Sequence, residues 1–177
     1  MHPFVENKCI TDLGFGSGFA LWGFRAIASG KTGCCHFTAG FNRAFSMDND
    51  ALKSQHGGTA GRLAMNALKS FSYQLGVLGT RKITLSSPGT FRVTADELSI
   101  VAALAAAQEG RDDLCHLHLT WLLAQHDTVY ARHAAVTYGI ICAQADINIE
   151  SLASEGVRPP SKQSHPIKAQ QVIGALY

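Results

Sequence analysis

The chain has 177 residues, 46% hydrophobic and 16% charged, which is ample for one domain with a real core and sparse for a fully solvated surface. Its formal net charge of +2 excludes a bulk electrostatic explanation for any basic segment within it. The opening residues lack a basic stretch followed by an apolar one, and no apolar run reaches membrane-spanning length, so neither a signal peptide nor a spanning helix is expected.

The first ten or so residues read as an irregular lead-in. Asp12-Leu13-Gly14-Phe15-Gly16-Ser17-Gly18 follows, then an apolar segment from Phe19 to Ser29 that reads as a helix, with Ser17 as its cap and Gly30 as its stop. A second helix over about 34–45 puts Cys34, Phe37, Phe41 and Phe45 on one face. Asp48 and Asp50 can cap a short turn that Gly57-Gly58 ends. Thr59 can cap a longer helix to about Leu78, with Ala64, Ala67, Leu68, Phe71, Leu75 and Leu78 as its apolar stripe.

Alternation in Lys82–Leu85 and Thr90–Val93, around Ser86-Ser87-Pro88-Gly89, predicts a β-hairpin near residues 82–93. Its core-facing residues would be Ile83, Leu85, Phe91 and Val93. Thr94-Ala95-Asp96-Glu97 has the form of a capping box, with Val93 and Leu98 placed as a hydrophobic staple. Helices are expected from there to about Glu109, from Asp112 or Asp113 to about Gln125, and from Asp127 to about Ala145. Gly156, Pro159-Pro160 and Pro166 mark an extended or loosely attached tail. The fold class is therefore mainly α, a multi-helix bundle of about six helices with one inserted hairpin. Residues 1–149 would form a single helical domain and 150–177 the tail.

Charge and aromatic content are lopsided. Residues 1–92 carry ten Lys/Arg and four Asp/Glu, whereas 93–177 carry five and nine, and all nine Phe lie between Phe4 and Phe91. From Ala51 to Ala95 there are six cations and no carboxylate. Arg62, Asn66, Lys69 and Tyr73 share one side of a helix by their four- and three-residue steps, and Arg81, Lys82 and Arg92 follow at the hairpin. This set is the expected surface for an anionic partner, an acidic protein face or nucleic acid. Helices, a hairpin wing and further helices is an order that resembles winged-helix regulators, and that resemblance implies nucleic-acid binding.

Five cysteines at irregular spacing make no disulfide framework, and a reducing cytoplasm is the expected compartment. Cys34-Cys35-His36 is the sharpest group of soft ligands. On a regular helix, adjacent side chains diverge by about 100°, which opposes a shared metal unless the segment is a turn. Cys34 is expected in the core beside Phe37, and Cys35 as an exposed thiol with Lys31 nearby to lower its pKa. Cys115, His116, His118, His126 and His133 form a second concentration, interrupted by the helix start at Asp127; its histidines read as ordinary helix-surface residues, with a metal or haem site as the alternative.

Asp12 to Gly18 also resembles the D-x-G-x-G-x-G motif of class I methyltransferases. That loop follows a buried strand and opens an alternating strand–helix series, neither of which is found here, so the glycines read as a helix entry permitting close packing. Nothing else argues for catalysis, because Asp96, Glu97, Asp112 and Asp113 have capping roles. The expected function is a non-catalytic cytoplasmic binding or regulatory protein, without cofactor, acting through the basic helix–hairpin surface and self-association. A winged-helix nucleic-acid binder and a thiol or metal protein centred on Cys34, Cys35 and His36 are the alternatives.

Overall fold

The computed structural model describes residues 8–46 and 54–150, with backbone alone for 54–58. The expected turn at Asp48–Asp50 and the expected tail beyond residue 150 lie outside these. Among the described residues are six α-helices: α1 (Phe15–Ala28), α2 (Cys35–Ala44), α3 (Ser54–Leu78), α4 (Ala95–Gln108), α5 (Asp112–Leu123) and α6 (Val129–Gln144). Short 3-10 turns, Ile10–Asp12 and Lys31–Gly33, precede α1 and α2.

Helices α3 and α4 organise the rest. Helix α3 packs against α1, α2 and α6, and α4 against α1, α5 and α6. Small side chains make α4 the central rod: Ile100, Val101 and Ala103 to Ala107 are all buried, so it is apolar on nearly every side. On α6, a side chain at Gly139 would place its Cβ 2.9 Å from the Cα of Gln108, so glycine is what lets α4 and α6 cross closely.

Phe15, Phe19, Phe37, Phe41 and Phe45 form an aromatic core between α1 and α2. Phe41 is its hub, with ring centroids 4.9 Å from Phe19, 5.1 Å from Phe37 and 6.3 Å from Phe45. Phe24 meets Phe71 of α3 edge-on at 6.0 Å. Burying one such ring is worth roughly 1.5–3 kcal/mol, which fixes α2 onto α1 and α3. The expected α3 stripe is also in place, with Ala64, Ala67, Leu68, Phe71 and Leu75 buried.

Three helix starts differ from expectation. Helix α1 begins at Phe15 rather than Phe19, taking the glycine run into its first turn. The cause is the segment 147–150, which crosses that turn. A Cβ on Gly16 would lie 2.1 Å from the carbonyl oxygen of Asn148, and Ser17 does not cap but donates to the carbonyl of Glu150 at 3.0 Å. Helix α3 begins at Ser54 and runs through Gly57-Gly58, so Thr59 is inside it. Helix α6 begins at Val129, two residues beyond Asp127, with Thr128 at its N-cap.

The expected hairpin is absent: the described residues contain no β-strand, and 82–93 is an irregular segment. Its turn does form, with the Thr90 amide donating to Ser87 at 3.0 Å and Gly89 at φ +91°. Its two arms, however, find other partners. Residues 91–93 pair with the lead-in, Ile10 donating to Phe91 at 2.7 Å and Val93 to Lys8 at 3.0 Å. The first arm is held by carboxylates, the Thr84 amide donating to Asp96 at 2.7 Å and the Ser86 amide to Glu97 at 2.8 Å. Of the four residues expected inward, Val93 is buried and Ile83 and Leu85 half-buried, but Phe91 is exposed.

Both halves of the capping box are present. The Thr94 hydroxyl accepts from the Glu97 amide at 3.1 Å, and the Glu97 carboxylate accepts from the Thr94 amide at 2.8 Å. Such a cap is worth about 1 kcal/mol. Glu97 also ion-pairs with Arg25 of α1, the side chains being 0% and 2% exposed. Arg25 grips both carboxylate oxygens, at 2.7 and 2.8 Å, and donates to the carbonyls of Thr90 and Arg92 at 2.6 and 2.7 Å. Removing two charges from water costs several kcal/mol each, and this set of hydrogen bonds offsets that cost. The pair fixes the 84–92 segment more than it adds net stability.

Candidate functional site

Helix α3 presents two unlike faces. Opposite its buried stripe, Arg62, Leu63, Asn66, Tyr73 and Val77 are exposed, and Lys69 is half-buried at the flank. Leu63, Tyr73 and Val77 are 51%, 66% and 59% exposed, so the cations are interleaved with solvent-facing apolar side chains. Helix α3 contains no carboxylate to neutralise Arg62 and Lys69. The structure thus brings the four expected α3 residues onto one outer strip.

Arg81 is placed differently. Its guanidinium clasps Asp96 at 2.6 and 3.2 Å, donates to the Trp121 carbonyl at 2.9 Å and lies 5.1 Å over the Trp121 ring. Burial pushes the Asp96 carboxyl upward, but the hydrogen bonds from Arg81 and Thr84 and the Arg81 charge outweigh it, holding Asp96 below its ordinary range. Arg81 therefore braces the segment after α3. It also borders an open recess of about 410 Å³ lined by Thr120, Trp121, Ala124, Gln125 and His126. Lys82 and Arg92 are exposed on that irregular segment, not on paired arms.

Cys34 and Cys35 are both exposed, which corrects the expected burial of Cys34. Cys34 is the N-cap of α2, with extended backbone (φ −73°, ψ 132°), and Cys35 and His36 open the helix. Because residue 34 stands outside the helical spiral, its thiol turns back toward His36. The His36 Nδ1 is 3.4 Å from the Cys34 sulfur and 3.6 Å from the Cys35 sulfur, and all three ligand atoms lie within 4.8 Å of one another. Hydrogen bonding to His36 holds the Cys34 thiol below the ordinary thiol range.

The second concentration of Cys and His does not assemble. Helices α5 and α6 are separate, Cys115 is buried, and His116 hydrogen-bonds Thr128 at 2.8 Å. Among the described residues, Cys34, Cys35 and His36 are the group that could hold a metal. Sequence reasoning missed the Arg25–Glu97 pair. Its signal was a lone cation inside the apolar run of α1, which requires a buried counter-charge.

No protein-family model, curated protein or solved structure matches the chain.

Proposed function

We propose that the protein is a non-catalytic, cytoplasmic helical binding protein whose outer α3 strip docks an acidic protein face. The supporting observation is the composition of that strip, where Arg62 and Lys69 alternate with exposed Leu63, Tyr73 and Val77 and α3 supplies no acid. Arg and Tyr beside exposed aliphatic groups is the chemistry that protein interfaces favour, and positive charge on a helix without carboxylates steers acidic partners to it. Arg81 contributes to the scaffold rather than to docking, since its donors are engaged with Asp96 and Trp121. An irregular segment stands where a winged-helix regulator carries its wing, so the reading does not rest on a wing. No described helix is long and apolar enough to cross a membrane.

Self-association belongs to the same reading. Leu117, Trp121, Tyr130 and Ile140 on α5 and α6 are more than half exposed, leaving apolar area for a second copy to cover.

The test is retention of the purified protein on immobilised polyglutamate at low and moderate salt, beside an Arg62→Glu/Lys69→Glu variant. The wild type should be retained and released by salt, while the variant passes through with an unchanged unfolding midpoint. Equal behaviour of the two would reduce the strip to a solvated face. Sedimentation over a concentration range reads self-association independently.

A further inference from the structure

The thiol–imidazole group at the start of α2 has a geometry that the docking of α3 does not use. Tetrahedral zinc holds sulfur at about 2.3 Å and nitrogen at about 2.0–2.1 Å, so adjacent donors around it lie roughly 3.5–3.8 Å apart. The two sulfur-to-Nδ1 separations, 3.4 and 3.6 Å, are already close to that spacing, and all three donors lie within 4.8 Å of one another, so small side-chain rotations of the exposed thiols complete it. Two thiols and one imidazole are soft to borderline donors, which suit zinc and exclude calcium and magnesium, ions that take oxygen ligands. All three side chains are exposed, so an ion reaches them without any opening of the fold.

We propose that Cys34, Cys35 and His36 form a zinc-binding site. The sulfurs bind as thiolates, releasing two protons, and the imidazole binds neutral through Nδ1. Two thiolates neutralise the dication, and water fills the fourth position. Cys115 and Cys142 are buried and do not compete.

Zinc titration of the reduced full-length protein against a chromophoric chelator, with Co2+ as a spectroscopic stand-in, decides the matter. One equivalent per chain is expected, and Co2+ should give a thiolate-to-metal charge-transfer band. Cys34→Ser and Cys35→Ser should each remove tight binding and diminish the band, and the double variant should abolish it. His36→Asn should weaken uptake by roughly tenfold or more, at least what loss of an outer-sphere partner costs. Cys9→Ser should change nothing. Cys34, Cys35 and His36 are exposed and Cys9 half-buried, and circular dichroism should show every variant as helical as the wild type. Absence of saturable uptake by the wild type, or equal uptake by the Cys34→Ser/Cys35→Ser variant, would overturn the assignment.

Discussion

Asp96 carries two jobs on one carboxylate. It opens the first turn of α4, where negative charge suits the helix end, and it receives Arg81 and the Thr84 amide. Its folded pKa lies below the ordinary value of about 3.9. A depressed carboxylate stabilises the fold above the unfolded pKa, and that contribution disappears as pH falls through the folded one. Asp96→Asn should therefore cost roughly 1–3 kcal/mol at neutral pH. The difference from wild type should shrink once the pH drops below about 4. Urea unfolding at a series of pH values measures this, and a pH-independent difference would mean that the side chain acts through packing rather than charge.

At the scale of elements, Arg25 ties α1 to a segment with no regular structure of its own. Arg25→Met strands Glu97 in the interior without its counter-charge, which should cost about 3–5 kcal/mol. Hydrogen exchange should quicken at the Ser86 amide more than within α6, because Glu97 is the acceptor that protects Ser86. Unchanged protection there would assign the segment's order to its other contacts. The helices were legible because their signals are local: the Thr94 cap, the breaks at Gly30 and Gly110, and the stripe from Ala64 to Leu75 all act within a few residues. The hairpin was misread because strand alternation registers side-chain faces and not backbone partners. Residues 91–93 chose Lys8 to Ile10, over eighty positions away in the chain, and 84–86 chose carboxylates on α4. In the same way, α3 extended five residues further toward the N-terminus than the expected cap at Thr59 allowed.

Across the whole molecule, the five cysteines sort by burial. Cys34 and Cys35 face solvent, whereas burial pushes Cys115 up to about 11 and Cys142 up to about 12. Alkylation of the native protein, resolved by mass spectrometry, should modify Cys34 and Cys35 rapidly. Cys115 and Cys142 should react only as the chain opens, in step with added urea. Fast native labelling of Cys115 would show that the α4–α5 contact opens separately. The basic strip could be read from helical periodicity, since all four of its α3 members sit on one helix. The convergence of Cys34, Cys35 and His36 could not, because it depends on the first of them leaving the helical path, a conformation set by the turn at Lys31–Gly33.

Gln108 and Ser17 give the final described residues an importance out of proportion to their length. The Gln108 side chain grips both faces of 147–149, donating to Ile147 at 2.8 Å and accepting from Ile149 at 2.7 Å, while Ser17 reaches Glu150. During ribosomal synthesis, then, the first helix emerges with one flank bare and waits for almost the whole described chain before that flank is sealed. Helix α1 precedes the other α-helices of the described chain and is among the last of them to be completed.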